Sequence, residues 1–249
     1  MLPLSSLDSS RLEGLRMVVS DVDDTITTAG RLHPCALEAM YRLRECGLSL
    51  VLLTGGSAGW ADVYIRQWPV DMVIAESGAV ALRRDETGLV TYSRNSAIAD
   101  DERLLRMRLI EDIGEARLSS DQYARLHDVA LDKAKCTPAE LEEIRGRALA
   151  AGASLAESSI HLNMWFGTYS KLQGLRFFTD IDDDRLREQA TYIGDSLPDQ
   201  ELFAFFPLSF GVHSVKMNRD AFAHLPTYYS PDAGGEGFSQ IVDALVVGR

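Results

Sequence analysis

The stretch LRMVVSDVDDT, Leu15–Thr25, decides the fold. Leu15–Ser20 is a short apolar run with adjacent β-branched residues, the pattern of a strand buried on both faces. Asp21, Asp23 and Asp24 follow at once. Open α/β sheets build their sites beyond the carboxyl ends of their strands, so acids in this place point to chemistry. Alternate residues of an extended segment point the same way, so Asp21 and Asp23 need not diverge. Two carboxylates that close repel unless they share a proton or a cation. Taken alone, the segment also reads as a polar strand-to-loop turn with an Asx cap.

Outward from this stretch, strands and helices alternate. Pro34–Cys46 is predicted as a helix, with proline in its first turn, an apolar face at Leu37, Met40 and Leu43, and Gly47 as its stop. Leu48–Leu53 reads as a second buried strand, Ser57–Gln67 as a helix and Val70–Ala75 as a third strand. That succession predicts a parallel sheet with right-handed crossovers. The same style returns after Gly167. Helices are expected at Ser170–Thr179, Pro198–Phe206 and Gly237–Val247, and strands at Thr191–Gly194 and Leu208–Val212. The acidic run Asp180–Asp184 reads as a solvated helix start.

The middle of the chain differs. A hairpin is expected over Arg83–Thr91, turning at Glu86-Thr87-Gly88, and then a long amphipathic helix over Asp101–Leu118. Thr137-Pro138-Ala139-Glu140 has the form of a capping box, opening a helix that Gly152 ends. Ser159–Phe166 reads as a strand. The predicted architecture is α/β: a doubly wound, mostly parallel sheet from residues 1–82 and 168–249, with an α+β cap inserted at 83–167.

Three further motifs flank the strands. Thr54-Gly55-Gly56-Ser57 follows the second strand and opens a helix; a hydroxyl and glycine N–H groups there suit an anionic phosphate. Lys171 sits at a predicted helix start, against the preference set by the helix dipole. Such a local violation marks function in many folds, although a solvated lysine is the plain alternative. Gly194-Asp195-Ser196-Leu197-Pro198-Asp199 brings two more acids to another strand's carboxyl end, in a segment that also reads as a helix cap. Within the insertion, His161 and Asn163 share one face of a predicted strand, placed to meet a substrate or to make structural hydrogen bonds. Trp60, Trp68 and Trp165 offer stacking surfaces, but aromatics at such positions more often serve the core.

Composition narrows the classes. The 249 residues are 46% hydrophobic and 25% charged, ordinary for a globular chain. A formal net charge of -12 disfavours nucleic-acid binding, which needs a basic footprint. A phosphate ester could still bind where a metal, a lysine or helix N-termini reverse the local field. Cys35, Cys46 and Cys136 are far apart and odd in number, against a disulfide framework or a zinc site. Residues 1–15 lack a basic start and a long apolar run, and no segment has the length and apolarity of a membrane span. The expectation is a cytoplasmic protein without a membrane or nucleic-acid partner; oligomeric state is not legible.

In order and spacing, the motifs at Asp21, Thr54, Lys171 and Asp195 resemble the four sequence motifs of the haloacid dehalogenase superfamily. The long insertion between the Thr54 and Lys171 motifs resembles the cap of its Cof-type, sugar-phosphatase branch, which includes sucrose-phosphate, trehalose-phosphate and mannosyl-phosphoglycerate phosphatases. Ile74-Ala75-Glu76-Ser77-Gly78-Ala79 is similar to that branch's post-strand turn, with Ser77 where asparagine is usual. Asp24 stands where the family usually has glycine. The resemblance implies a phosphatase acting on a small phosphorylated metabolite, a sugar phosphate above all, with Mg²⁺ as cofactor. It implies Asp21 as nucleophile, Asp23 as acid and base, and Thr54, Gly55 and Lys171 as ligands of the phosphoryl group. The metal would be held by Asp21, the carbonyl of Asp23 and Asp195, with Asp199 in support. A phosphomutase using the same nucleophile and a catalytically silent binding module are the alternatives. The first differs in which acceptor takes the phosphoryl group, and retention of Asp21, Asp23 and Lys171 together argues against the second.

Overall fold

The computed structural model describes residues 1–93, 99–158 and 160–247. The chain opens with the edge strand β1 (Leu2–Pro3) and enters the sheet centre with β2 (Met17–Ser20). A flap of two short strands, β3 (Thr27–Thr28) and β4 (Arg31–Leu32), leads to α1 (Pro34–Glu45), β5 (Ser49–Leu53), α2 (Ala58–Gln67) and β6 (Met72–Ala75). The hairpin β7 (Val80–Asp85) and β8 (Gly88–Ser93) follows. Next come α3 (Ala99–Ile113), β9 (Val129–Asp132), α4 (Pro138–Ala150), β10 (Ser154–Glu157) and β11 (His161–Trp165). The chain returns through α5 (Lys171–Thr179), α6 (Asp183–Gln189), β12 (Ala190–Gly194) and α7 (Gln200–Phe205). It ends with β13 (Ser209–Gly211), α8 (His213–Met217), β14 (Tyr228–Tyr229) and α9 (Gly234–Val246).

Among the described residues, nine strands form the main sheet, in the order β1-β14-β13-β12-β2-β5-β6-β7-β8. Pairing is parallel from β1 to β6 and antiparallel beyond. Successive side chains of a strand feed opposite layers. Val18, Leu50, Leu52 and Val73 pack beneath α1, α2 and α9, while Val19, Val51, Leu53 and Ile74 pack beneath α5, α6 and α7. This is the doubly wound α/β core expected from the alternating segments.

The sheet corrects one boundary. The hairpin expected to begin the insertion belongs to the main sheet, where β7 pairs with β6 from Val80 against Ala75 to Arg83 against Met72. Only residues 76–79 separate the two strands, and so short a link permits antiparallel pairing alone. Val80 and Leu82 are buried on one face and Ala81 on the other, so β7 covers an edge that β6 would otherwise leave open. Among the described residues, the separate unit first appears at α3, after the hairpin.

That unit holds an antiparallel sheet, β10-β11-β9, beneath α3 and α4, with its own core of Leu109, Ile113, Val129, Leu131, Ile144 and Met164. The sequence reading found β11 but neither β9 nor β10. Val129–Asp132 and Ser154–Glu157 are only four residues long, and the latter is half-buried throughout, without an alternating signal. Ser159, where the expected strand began, lies outside the described residues. The capping box is present, Thr137 accepting from the Glu140 N–H and Glu140 from the Thr137 N–H. Asp182, from the acidic run, caps α6 by accepting from the Arg185 N–H. No described helix is long and apolar enough to cross a membrane.

Candidate active site

Strand order brings the motifs together. β2 lies between β12 and β5, so the segments after these three neighbours meet at one edge. After β2 the chain curls tightly, and the Val22 carbonyl accepts from the N–H groups of Ile26 and Thr27, both at 2.9 Å. Asp24 takes φ 57° in this curl. That explains why an aspartate stands where the resemblance leads one to expect glycine: Asp tolerates the left-handed region better than most residues. Its carboxylate accepts from the Ala29 N–H at 2.9 Å.

Lys171 is the hub. Its Nζ lies 2.6 Å from Asp21 Oδ1 and 2.8 Å from Asp199 Oδ1, and all three side chains are buried. Burial works against the lysine's charge, but Asp199 and Asp21 outweigh it and raise the Lys171 pKa. The close seating of α5 puts it there. A Cβ added to Gly174 would fall 2.4 Å from the Gly78 Cα, so only glycine lets the helix approach the turn after β6. Thus the two carboxylates offset the unfavourable place of Lys171 at a helix start.

Asp199 is occupied by protein donors on both oxygens. Oδ1 accepts from Lys171 and from the Tyr192 hydroxyl at 2.6 Å. Oδ2 accepts from the N–H groups of Asp195 and Ser196, at 3.0 and 3.1 Å, and from the Ser196 hydroxyl. Burial would raise its pKa, yet Lys171 and these donors lower it. Asp21, Asp195 and Asp199 each bring a carboxylate oxygen within 4.8 Å of the others. With Asp199 so engaged, Asp21 and Asp195 keep the more open oxygens, and Asp195 accepts from Thr25 Oγ1 at 3.2 Å. Burial, with the charges of Asp21 and Asp199, pushes Asp195 up to about 9. Burial also pushes Asp21 up to about 7 against the pull of Lys171, and raises Asp23. A hard, oxygen-seeking divalent cation fits carboxylates crowded in this way.

A cavity of about 500 Å³ opens above this edge. Asp21, Asp23, Gly55, Gly56, Lys171 and Asp195 form its floor, and Arg145, Glu157, His161, Asn163 and Trp165 of the inserted unit form its roof. Thr54 lies just below, buried, its hydroxyl accepting from the Gly56 N–H at 2.9 Å. His161 lines the roof, with Nε2 3.1 Å from the Ser119 hydroxyl; burial lowers its pKa. Asn163 is turned to the protein instead: its Nδ2 donates to the Gly55 carbonyl at 2.7 Å and to Asp128 Oδ2 at 2.8 Å. Of the tryptophans, Trp165 stacks on Tyr169 at the cavity wall, while Trp60 is half exposed and Trp68 stacks on Tyr64.

The sequence reading missed Arg125, Asp128 and the role of Glu76. The Glu76 carboxylate is wholly buried and accepts four N–H groups, from Ala58, Leu126, His127 and Asp128, at 2.6–3.1 Å. Three of these belong to the inserted unit, so a core carboxylate fastens the insertion. Only the resemblance of the Glu76 turn hinted at its importance; nothing in ARLHD, Ala124–Asp128, marks the other half.

No family model matches the sequence, and no curated protein matches it. Solved structures do. A sucrose-phosphatase from Synechocystis, in complex with sucrose and phosphate, matches with a TM-score of 0.63 at 14% identity, over 92% of this chain and 97% of that one. The C-terminal domain of Candida albicans trehalose-6-phosphate phosphatase matches with a TM-score of 0.72 at 10% identity, over 99% and 98%. A Plasmodium vivax protein described as HAD/COF-like matches with a TM-score of 0.72 at 14% identity, over 97% and 99%. The chain therefore shares the fold of these HAD/COF-like and phosphatase structures.

Proposed function

We propose that this protein is a magnesium-dependent phosphatase that hydrolyses a small phosphorylated metabolite, with a sugar phosphate as the preferred class. The observation that carries the reading is Lys171 bridging Asp21 and Asp199 beside Asp195, at the floor of a roofed cavity. The phosphatases among the similar structures support it.

In this reading Asp21 attacks phosphorus, the ester P–O bond breaks, and the leaving oxygen takes a proton from Asp23. Burial raises the Asp23 pKa, the direction an acid needs to hold that proton. Water then attacks the phosphorus of the aspartyl-phosphate and gives its proton to Asp23, which frees inorganic phosphate and restores Asp21. Lys171 and the Thr54-Gly55-Gly56 turn hold the phosphoryl group in place. Asp21, the Asp23 carbonyl and Asp195 would hold Mg²⁺, with Asp199 in support. The ion neutralises charge on a dianionic substrate and on the crowded acids. Arg145, Glu157, His161 and Gln200 give the cavity hydrogen-bonding groups suited to a polyhydroxylated leaving group.

Phosphate release from a panel of phosphorylated metabolites, with Mg²⁺ and with chelator, tests this. Release that needs both the metal and Asp21 is expected. Transfer to an added hexose phosphate in preference to water would make the protein a mutase, and no reaction with any ester would overturn the reading.

A further inference from the structure

We infer that Arg125 and Asn163, both contributed by the inserted unit, are positioning residues for the phosphate-binding turn. The inference rests on the phosphatase reading and concerns how that site is held. The Gly55 carbonyl and the Gly56 N–H belong to one planar peptide and point in opposite directions. Between two glycines such a peptide turns easily, because no Cβ restricts it. Here it is held at both ends. The Gly56 N–H donates to Thr54 Oγ1 at 2.9 Å. The Gly55 carbonyl accepts from Arg125 Nη1 at 3.1 Å and from Asn163 Nδ2 at 2.7 Å.

Asn163 has no N–H to spare for a substrate, and Arg125 does not line the cavity. The Arg125 side chain is fully buried, and its other bonds run to both oxygens of Asp128 and both oxygens of Asp121. The second N–H of Asn163 goes to Asp128 Oδ2. Asp128 thus aims both donors at one carbonyl. Its own N–H, with those of Leu126 and His127, ends on the Glu76 carboxylate, which also accepts from Ala58, the first residue of α2. Glu76 and Ser77 take φ 50° and 55° to make this possible, a strained backbone that the surrounding bonds must hold. The insertion does more than roof the cavity: its buried ion network fixes one peptide of the floor.

The experiment uses the full chain with Asn163→Ala, Arg125→Lys and Arg125→Met. Turnover with Mg²⁺ is measured on p-nitrophenyl phosphate and on a hexose phosphate, and amide hydrogen exchange is followed in the peptide covering residues 53–58. Asn163→Ala should lower kcat roughly tenfold to a hundredfold, by the same factor on both esters, with little change in KM. The Gly56 amide should exchange faster, and Arg125→Lys, which keeps a donor, should retain more activity than Arg125→Met. If Arg125→Met does not fold, Asn163→Ala decides. A loss confined to the hexose phosphate would make Asn163 a reader of the organic group and overturn the inference. Unchanged turnover and exchange would do the same. Should the wild type hydrolyse neither ester, the phosphatase reading falls, and faster exchange at Gly56 still separates a true positioning contact from an idle one.

Discussion

The floor and the roof of the cavity were built under different rules. Every chemical group of the floor sits within a few residues of a strand end or a helix start: Asp21 and Asp23 after β2, Thr54 after β5, Lys171 opening α5 and Asp195 after β12. The inserted unit instead meets the core through single side chains far apart in sequence, Glu76 to Asp128 and Asn163 to Gly55. Chemistry placed by secondary structure can be read locally, whereas attachment placed by tertiary packing cannot. Yet the attachment reaches the same turn that the chemistry needs.

The sharpest way to break this contrast is Asp21→Asn. It keeps shape and removes the carboxylate nucleophile, so turnover should fall by roughly a thousandfold or more while the circular dichroism spectrum stays unchanged. A folded variant with near wild-type turnover would remove Asp21 from the chemistry. For the attachment, Glu76→Gln turns an acceptor of four N–H groups into one that opposes some of them. Leaving the two N–H groups on one oxygen, such as those of His127 and Asp128, without an acceptor costs roughly 3 kcal/mol, seen as a lower urea midpoint. An unchanged midpoint would show that the insertion is held by apolar packing alone.

The crowded acids also predict a pH effect. Asp21 and Asp195 are raised from an ordinary 3.8 to about 7 and about 9. The folded protein therefore keeps protons that the unfolded chain has already released. Their stabilising contribution is complete below the unfolded value and is lost as pH rises through about 7 and then about 9. With chelator present, melting temperature should fall between about pH 5 and about pH 9. Mg²⁺ should oppose the fall, adding about 2.7 kcal/mol at a hundredfold excess over Kd. Asp195→Asn should weaken both effects, and identical metal shifts in wild type and variant would take Asp195 out of the cation site. The smallest effect is expected at the roof. His161→Ala should change kcat/KM a few-fold and unevenly among phosphorylated sugars, with p-nitrophenyl phosphate hydrolysis nearly unaltered. A uniform loss would deny His161 a part in specificity.

Much of the core was legible because period and punctuation agree there. The apolar runs at β2, β5 and β6 are buried on both faces, and Pro34, Ser57 and Ser170 mark helix starts that the structure keeps. β7 was misplaced because its length and turn say hairpin without saying which sheet receives it. β9 and β10 escaped notice because short strands supported by a neighbouring sheet need little signal of their own. Arg125 was invisible for another reason: a fully buried guanidinium looks like any surface arginine until Asp121, Asp128 and Gly55 surround it. Asn163, read as meeting a substrate or making structural hydrogen bonds, makes the latter to Gly55 and Asp128 within the same network.

Asp21 as the nucleophile is tested most directly by rapid acid quench of the Mg²⁺-loaded protein with a phosphorus-radiolabelled ester, followed by peptide mapping. The account predicts transient label on the peptide containing Asp21, stable in acid and lost in alkali, and no label in Asp21→Asn. Phosphate release without protein label, together with turnover by Asp21→Asn, would contradict it.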